Sequence, residues 1–320
     1  MALLFPRKRH AVLGVDISGT AVSILELRRA HTKLWVQGFA VAPFTSSTLV
    51  AHSILEPTAM IRAIQAALDQ SHFSTRHVAI AMPAAAVISK TLSIDANLSE
   101  EELEAHVQLE TAAAIPFSLD EVCMDFSVLG LNEKDPTKAD VVWVAARRAQ
   151  VEARRDVLET AGLIVDYIEV ESFAVERSVN YFTYKNTLKT IAVFDLSKIK
   201  VILTVIHQRR LIYINEEWLH GSQLTESTEY LVPLLRRMMQ LFISSTQTCP
   251  VDEILLSGPD VSEFVKVVSE SLILPVTIID PFQNMYPATT VNALQLQQEA
   301  SSLVIACGLA LRGVVGRDRD

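Results

Sequence analysis

The chain has 320 residues, half of them apolar and 7% aromatic, with a formal charge of −9. That length exceeds what one core usually organises, so two lobes or domains are expected. Burial resting on Ala, Val, Ile and Leu suits parallel or mixed sheets covered by helices. The acidic balance argues against a nucleic-acid partner, which selects a basic face.

A mean hydropathy of +0.28 raises the question of a membrane span. The longest uncharged stretch, Leu34–Leu55, holds Gln37, Pro43, Thr45, Ser46, Ser47, Thr48 and His52, too many polar groups for hydrocarbon. Ala300–Leu311 is apolar but falls well short of the roughly 20 residues a span needs. The N-terminal MALLFPRKRH puts a short apolar run before its charges, the reverse of a secretory signal. A cytoplasmic protein is expected. Cys123, Cys249 and Cys307 lie far apart with no CxxC spacing and read as reduced side chains.

Along the chain, Val12–Ile17 reads as a strand, Ser18-Gly19 as a two-residue turn, and Val22, Ile24 and Leu27 as the returning strand. Leu34–Phe44 is a third strand, and a helix over Pro57–Ser71 follows with Met60, Ile61, Ile64 and Leu68 on one face. His77–Ile94 is strand material interrupted at Pro83. Ser99 and Glu102 form a capping box for a helix carrying Leu103, Val107, Leu109, Ala113 and Ile115 and stopped by Pro116. Two strands, Met124–Leu131 and Val141–Ala145, flank the turn Asn132-Glu133-Lys134-Asp135-Pro136. A charged helix over Arg147–Ala161 ends at Gly162, and Ile164–Val170 is a buried strand.

The opening pattern then returns. Ile191–Leu196, a turn at Ser197-Lys198, Val201–Ile206 and Leu211–Ile214 reproduce the first three strands. An offset of 179 places Asp16 on Asp195, Val12 on Ile191, Val22 on Val201 and Leu27 on Ile206. The expected organisation is a first lobe over 1–83, an inserted α+β module over 84–162, a return with a hinge helix over 163–190, and a second lobe over 191–320. Two hairpins, each with an acid beside a tight turn, suit a nucleotide. Turn amides can hold phosphate oxygens, and carboxylates can hold a magnesium ion and its waters.

Local motifs sharpen this. Glu104 and Glu110 precede Ile115-Pro-Phe117 and Asp120-Glu-Val-Cys-Met-Asp-Phe126. Ile168-Glu-Val-Glu-Ser-Phe-Ala174, Asp280-Pro-Phe282 and Gly308-Leu-Ala-Leu-Arg312 follow in order. In this sequence they resemble the signature of the PilM family of type IV pilus assembly, in the FtsA-like branch of the actin-like ATPases. The resemblance implies an α/β actin-like fold: two lobes with duplicated β-β-β units and an inserted α+β module; the short stretch between Leu224 and Glu253, where the family usually carries a fuller subdomain, points to a reduced small subdomain in the second lobe. It implies a cytoplasmic scaffold at the inner face of the inner membrane that binds the N-terminal cytoplasmic peptide of PilN. Other pilus assembly proteins and self-association are further implied partners. The alternative is an ATP-binding and hydrolysing switch.

By the same resemblance, Asp16 is the magnesium-side acid, and Ser18, Gly19, Thr20, Asp195, Ser197 and Gly258 face an ATP. Glu171 corresponds to the residue that orients attacking water, and Ile80, Met82 and Pro83 form the partner groove. Departures point to a degenerate site. Asp195 is followed by Leu196-Ser197-Lys198 where the family prefers Asp-Ile-Gly, and a side chain forced to positive φ costs about 1–2 kcal/mol. Ser257-Gly258-Pro259-Asp260 keeps one glycine of a glycine-rich loop. Any activity is expected to be weak ATP hydrolysis. An FtsA-like membrane anchor is not expected from the short polar end Gly313–Asp320.

Overall fold

The computed structural model describes residues 11–18, 20–45, 49–50, 53–132, 134–183, 188–197, 199–219, 228–246 and 250–314. Strand β1 (Leu13–Ser18) pairs antiparallel with β2 (Ala21–Ala30), which pairs with β3 (Lys33–Pro43). A short pair, β4 (Leu49–Val50) and β5 (Ser53–Ile54), precedes α1 (Pro57–Asp69). Pro57 opens that helix, where a missing N–H leaves nothing unsatisfied. Strand β6 (His77–Met82) returns parallel to β1. With β10 (Ile164–Val170) and β16 (Met285–Pro287) these form a six-stranded sheet in the order β10-β6-β1-β2-β3-β16.

The second lobe repeats the plan. Strands β11 (Thr190–Leu196), β12 (Lys200–His207) and β13 (Arg210–Trp218) form the antiparallel unit, and β14 (Glu253–Ser257) runs parallel to β11. With β15 (Val276–Ile278) the order is β13-β12-β11-β14-β15. The repeat extends to register. Asp16 faces Ser23 and Asp195 faces Ile202, both members displaced by the same 179 positions. Each lobe therefore builds its first strand between an antiparallel and a parallel neighbour.

One expected turn shifts. Ser18 still pairs with Ala21, so it closes β1 rather than opening the turn; Gly19 lies outside the described residues. In the second hairpin neither Leu196 nor Ser197 takes a positive φ. Ser197 Oγ accepts from Lys200 N at 3.1 Å, and Ser197 N donates to Lys200 O at 3.0 Å. A side-chain turn replaces the glycine, so the expected backbone strain is not found there. Lys198 lies outside the described residues.

Alternation along the strands sets the layers. Leu13, Val15 and Ile17 pack under α1, whereas Ala192, Phe194 and Leu196 pack under α5 (Thr228–Thr246) and α6 (Val265–Leu272). The opposite faces enclose α4 (Glu171–Phe182) and α8 (Val304–Val314), joined by Val12, Ala174, Val179, Ile191, Val193, Ile305 and Leu309. A short α7 (Ala293–Glu299) precedes α8. Asp16 and Asp195 alternate onto that inner side. Gly308 makes its closeness plain: a Cβ there would lie 1.8 Å from the Ala174 carbonyl oxygen, so α4 and α8 touch backbone to backbone.

Residues Met82–Asp156 pack as a unit of their own, apart from the two lobes. Strands β7 (Val87–Asp95), β9 (Lys138–Arg147) and β8 (Val122–Leu131) form an antiparallel sheet in the order β7-β9-β8. Helix α2 (Glu100–Ala114) covers it, and α3 (Arg148–Thr160) leaves it. The Ser99–Glu102 capping box forms as expected, with Ser99 N donating to Glu102 Oε2 at 2.8 Å. Ile94, Val107, Ile115, Val122, Val141 and Trp143 make the core. Leu109 is not part of it: two positions beyond Val107 is about 200° around a helix, and Leu109 is 70% exposed.

Candidate functional site

Strand β12 reads KVILTVIH and is buried at every position but the last. A lysine at the head of such a strand needs partners, because an unpaired buried ammonium is costly. Lys200 Nζ lies 3.7 Å from Glu171 Oε1 and 3.3 Å from Glu216 Oε2, and all three side chains are about 5% exposed. Burial opposes its charge, yet Glu171 and, after it, Glu216 hold the ammonium above the usual lysine range. Glu171 opens α4 and Glu216 sits on β13, so the lysine ties the second-lobe sheet to the inner helix.

Beside this cation, Asp195 is pushed up by burial, with Glu171 adding to the rise and the Ser257 hydrogen bond and Lys200 opposing it. Local hydrogen bonding agrees. Ser257 Oγ lies 2.9 Å from both Asp195 Oδ2 and the Ser301 carbonyl oxygen. A serine hydroxyl carries one hydrogen. Both contacts are satisfied when protonated Asp195 donates to Ser257 Oγ and Ser257 donates to Ser301. Gly258 N and Ser301 Oγ then exchange two more bonds, to Ser301 O at 3.0 Å and Gly258 O at 2.8 Å.

Gly258 itself has φ +119°, and a Cβ there would lie 2.1 Å from the Leu196 carbonyl oxygen. Glycine is required by the backbone alone. The residue after Pro259 carries the left-handed turn instead, with Asp260 at φ 55°. Ser197 Oγ is engaged within its own hairpin. Thr20 is half-buried, and its carbonyl accepts from Phe44 N at 2.8 Å. The structure thus brings together Glu171, Asp195 and Gly258, and adds Lys200, Glu216 and Ser257, which sequence reasoning missed. The available signal was a lone lysine in an otherwise apolar strand.

The signature segments meet one another on the inner side. Arg177 donates to both oxygens of Glu169, at 2.5 and 2.9 Å, and to Gly308 O at 2.8 Å. Arg312 reaches Glu169 Oε2 at 2.7 Å with its guanidinium 4.6 Å from the Tyr167 ring centre. The hinge and closing motifs are therefore one clamp around a nearly buried carboxylate.

Ile80 and Met82 are 2% and 3% exposed, and Pro83 is buried as well. Ile80 packs in the first-lobe core, so these side chains offer a partner no surface here. Accessible apolar surface begins just beyond. Within the 82–156 unit, Ala86, Ile88, Ile115, Pro116, Phe117 and Arg147 line a cleft of about 270 Å³. The Arg147 guanidinium lies 4.0 Å over the Phe117 ring, and β7 alongside is an edge strand.

Duplicated hairpins with an acid at matching positions, two inner helices between their sheets and a separate α+β insert define an actin-like ATPase fold. The solved structures agree. A PilM–PilN type IV pilus biogenesis complex matches with a TM-score of 0.81 at 22% identity, over 96% of this chain and 99% of that one. An actin-like ATPase-fold protein from Bacteroides thetaiotaomicron matches with TM-score 0.50 at 11% identity, over 94% and 96% of the two chains. The ethanolamine utilization protein EutJ from Carboxydothermus hydrogenoformans gives 0.51 at 11%, over 96% and 91%. The family model described as type IV pilus assembly protein PilM matches residues 14–230 and 227–314. The chain belongs to that family.

Proposed function

We propose that this chain is a cytoplasmic scaffold of the inner-membrane assembly complex of the type IV pilus, docking the N-terminal cytoplasmic tail of PilN. The observation that carries the reading is the match of nearly the whole chain to the PilM family, together with the likeness to a PilM bound to PilN. No helix among the described residues is long and apolar enough to cross a membrane; in this reading the PilN tail holds the chain at the membrane. For the docking surface we favour the cleft at Ile88 and Phe117 over Ile80, Met82 and Pro83. An extended tail needs an open strand edge for its backbone and a pocket for alternate side chains, and β7 and this cleft supply both.

Calorimetric titration of a synthetic PilN tail tests the reading. Binding at a micromolar dissociation constant is expected, with Phe117→Ala weakening it at least about tenfold, roughly 1.4 kcal/mol. Absence of binding by the folded parent at about 1 mM tail, the weak end of specific recognition, would remove it. A second reading, an ATP-driven switch, is favoured by Asp16 and Asp195 alternating onto the same inner side. It requires stabilisation of about 2.7 kcal/mol at a hundredfold excess of Mg-ATP over its dissociation constant; a flat thermal shift leaves the scaffold alone.

A further inference from the structure

The nucleotide reading brings a magnesium ion with it, and the residues present do not fit one in the second lobe. Magnesium requires carboxylate oxygens or waters at about 2.0–2.1 Å in near-ideal octahedral geometry. The carboxylates that face this region are already engaged by a lysine ammonium, Glu171 as an ion pair at 3.7 Å and Glu216 as a hydrogen-bond acceptor at 3.3 Å. The backbone that carries that ammonium is fixed, because Lys200 N and O are both bonded to Ser197 across the hairpin. The ammonium itself is nearly fully buried, so it cannot swing into solvent to make room. The repeat sharpens the point: 179 positions earlier stands Ala21, so the first-lobe hairpin carries no such cation.

We propose that Lys200 is a built-in counter-ion that stands in for a divalent cation among Glu171, Asp195 and Glu216, so that the second lobe takes no metal and any nucleotide bound there is bound without one. This deepens the nucleotide reading and rests on it only for its last clause. The three acids have kept the composition of a cation site while the cation has become part of the chain. A dication arriving at the same oxygens meets a fixed like charge in a poorly screened interior.

Manganese, followed by its paramagnetic resonance, is the probe, and the full chain is used throughout. Wild type shows no Mn²⁺ uptake that depends on Glu171, so wild type and Glu171→Gln give the same titration. Lys200→Met, or Lys200→Gln with its polar head retained, gains one site at least about tenfold tighter than any in wild type, about 1.4 kcal/mol, and its melting temperature rises with MnCl₂. Glu171-dependent Mn²⁺ binding by wild type overturns the proposal. So does a folded Lys200 variant that gains no site. If neither variant folds, the wild-type and Glu171→Gln pair decides alone. A fluorescent ATP analogue separates the two readings. Binding to wild type unchanged by EDTA supports both, and binding that needs Mg²⁺ overturns the counter-ion. No binding in either condition removes the nucleotide reading and leaves the manganese result to stand on its own.

Discussion

Asp195 shows what its surroundings do to a single carboxyl. Its folded pKa is raised by burial, so between the unfolded value near about 3.9 and the folded one the native state binds the extra proton. Stability from this group is complete below the unfolded pKa and is lost as pH rises through the folded one. Asp195→Asn keeps the acceptor and donor but cannot ionise. Urea unfolding should therefore show the variant gaining on its parent as pH rises from 4 towards 7, with the gap closing again in acid; a gap independent of pH sinks the protonated assignment. Cys307 gives a second test of burial. Its thiol is pushed up to about 12 in a fully buried place, so iodoacetamide should label it only after denaturation. Lys200 was the residue hardest to foresee. That cation heads a strand whose apolar run hid it.

Helices α4 and α8 meet because small residues let them. With the Gly308 Cα against the Ala174 carbonyl, Gly308→Ala has no rotamer to escape through, and a loss of about 1–3 kcal/mol or more is expected in denaturant unfolding. A variant within a few tenths of wild type would mean the helices can part freely. The clamp alongside is the polar half of the same joint. Glu169→Gln should cost about 2–3 kcal/mol, since two partly exposed arginines lose their shared charge, and restoring the loss with added Arg177→Leu would show that stranded cations caused it. Some elements were readable from local signals: the Ser99 box and Pro57 lie where pattern alone puts them, and Ile164–Val170 is a strand, half-buried rather than buried as expected. What pattern could not give was the pairing of Glu169 with Arg312, 143 positions apart, because only packing brings such residues together.

The molecule as a whole was legible through its duplication. A shared displacement of 179 shows which strands correspond, and the structure carries the correspondence down to hairpin register. The insert was legible as a change of grammar between two similar passages. The groove expected at Ile80, Met82 and Pro83 was not, because those side chains are buried. Apolar character alone does not separate a core position from a groove, and accessibility does.

The three tryptophans fall one to each part. Trp35 lies on β3 with its ring centre 5.3 Å from that of Tyr286, Trp143 is sealed in the insert with no acceptor for its indole N–H among the described residues, and Trp218 faces Lys200 across β12 and β13. Nature has thus wired the protein with three optical reporters. Variants keeping one indole each, with phenylalanine at the other two positions, turn a single melting curve into three. The Trp143 reporter should emit furthest to the blue, and its red shift on heating will show whether the insert lets go before the lobes that flank it.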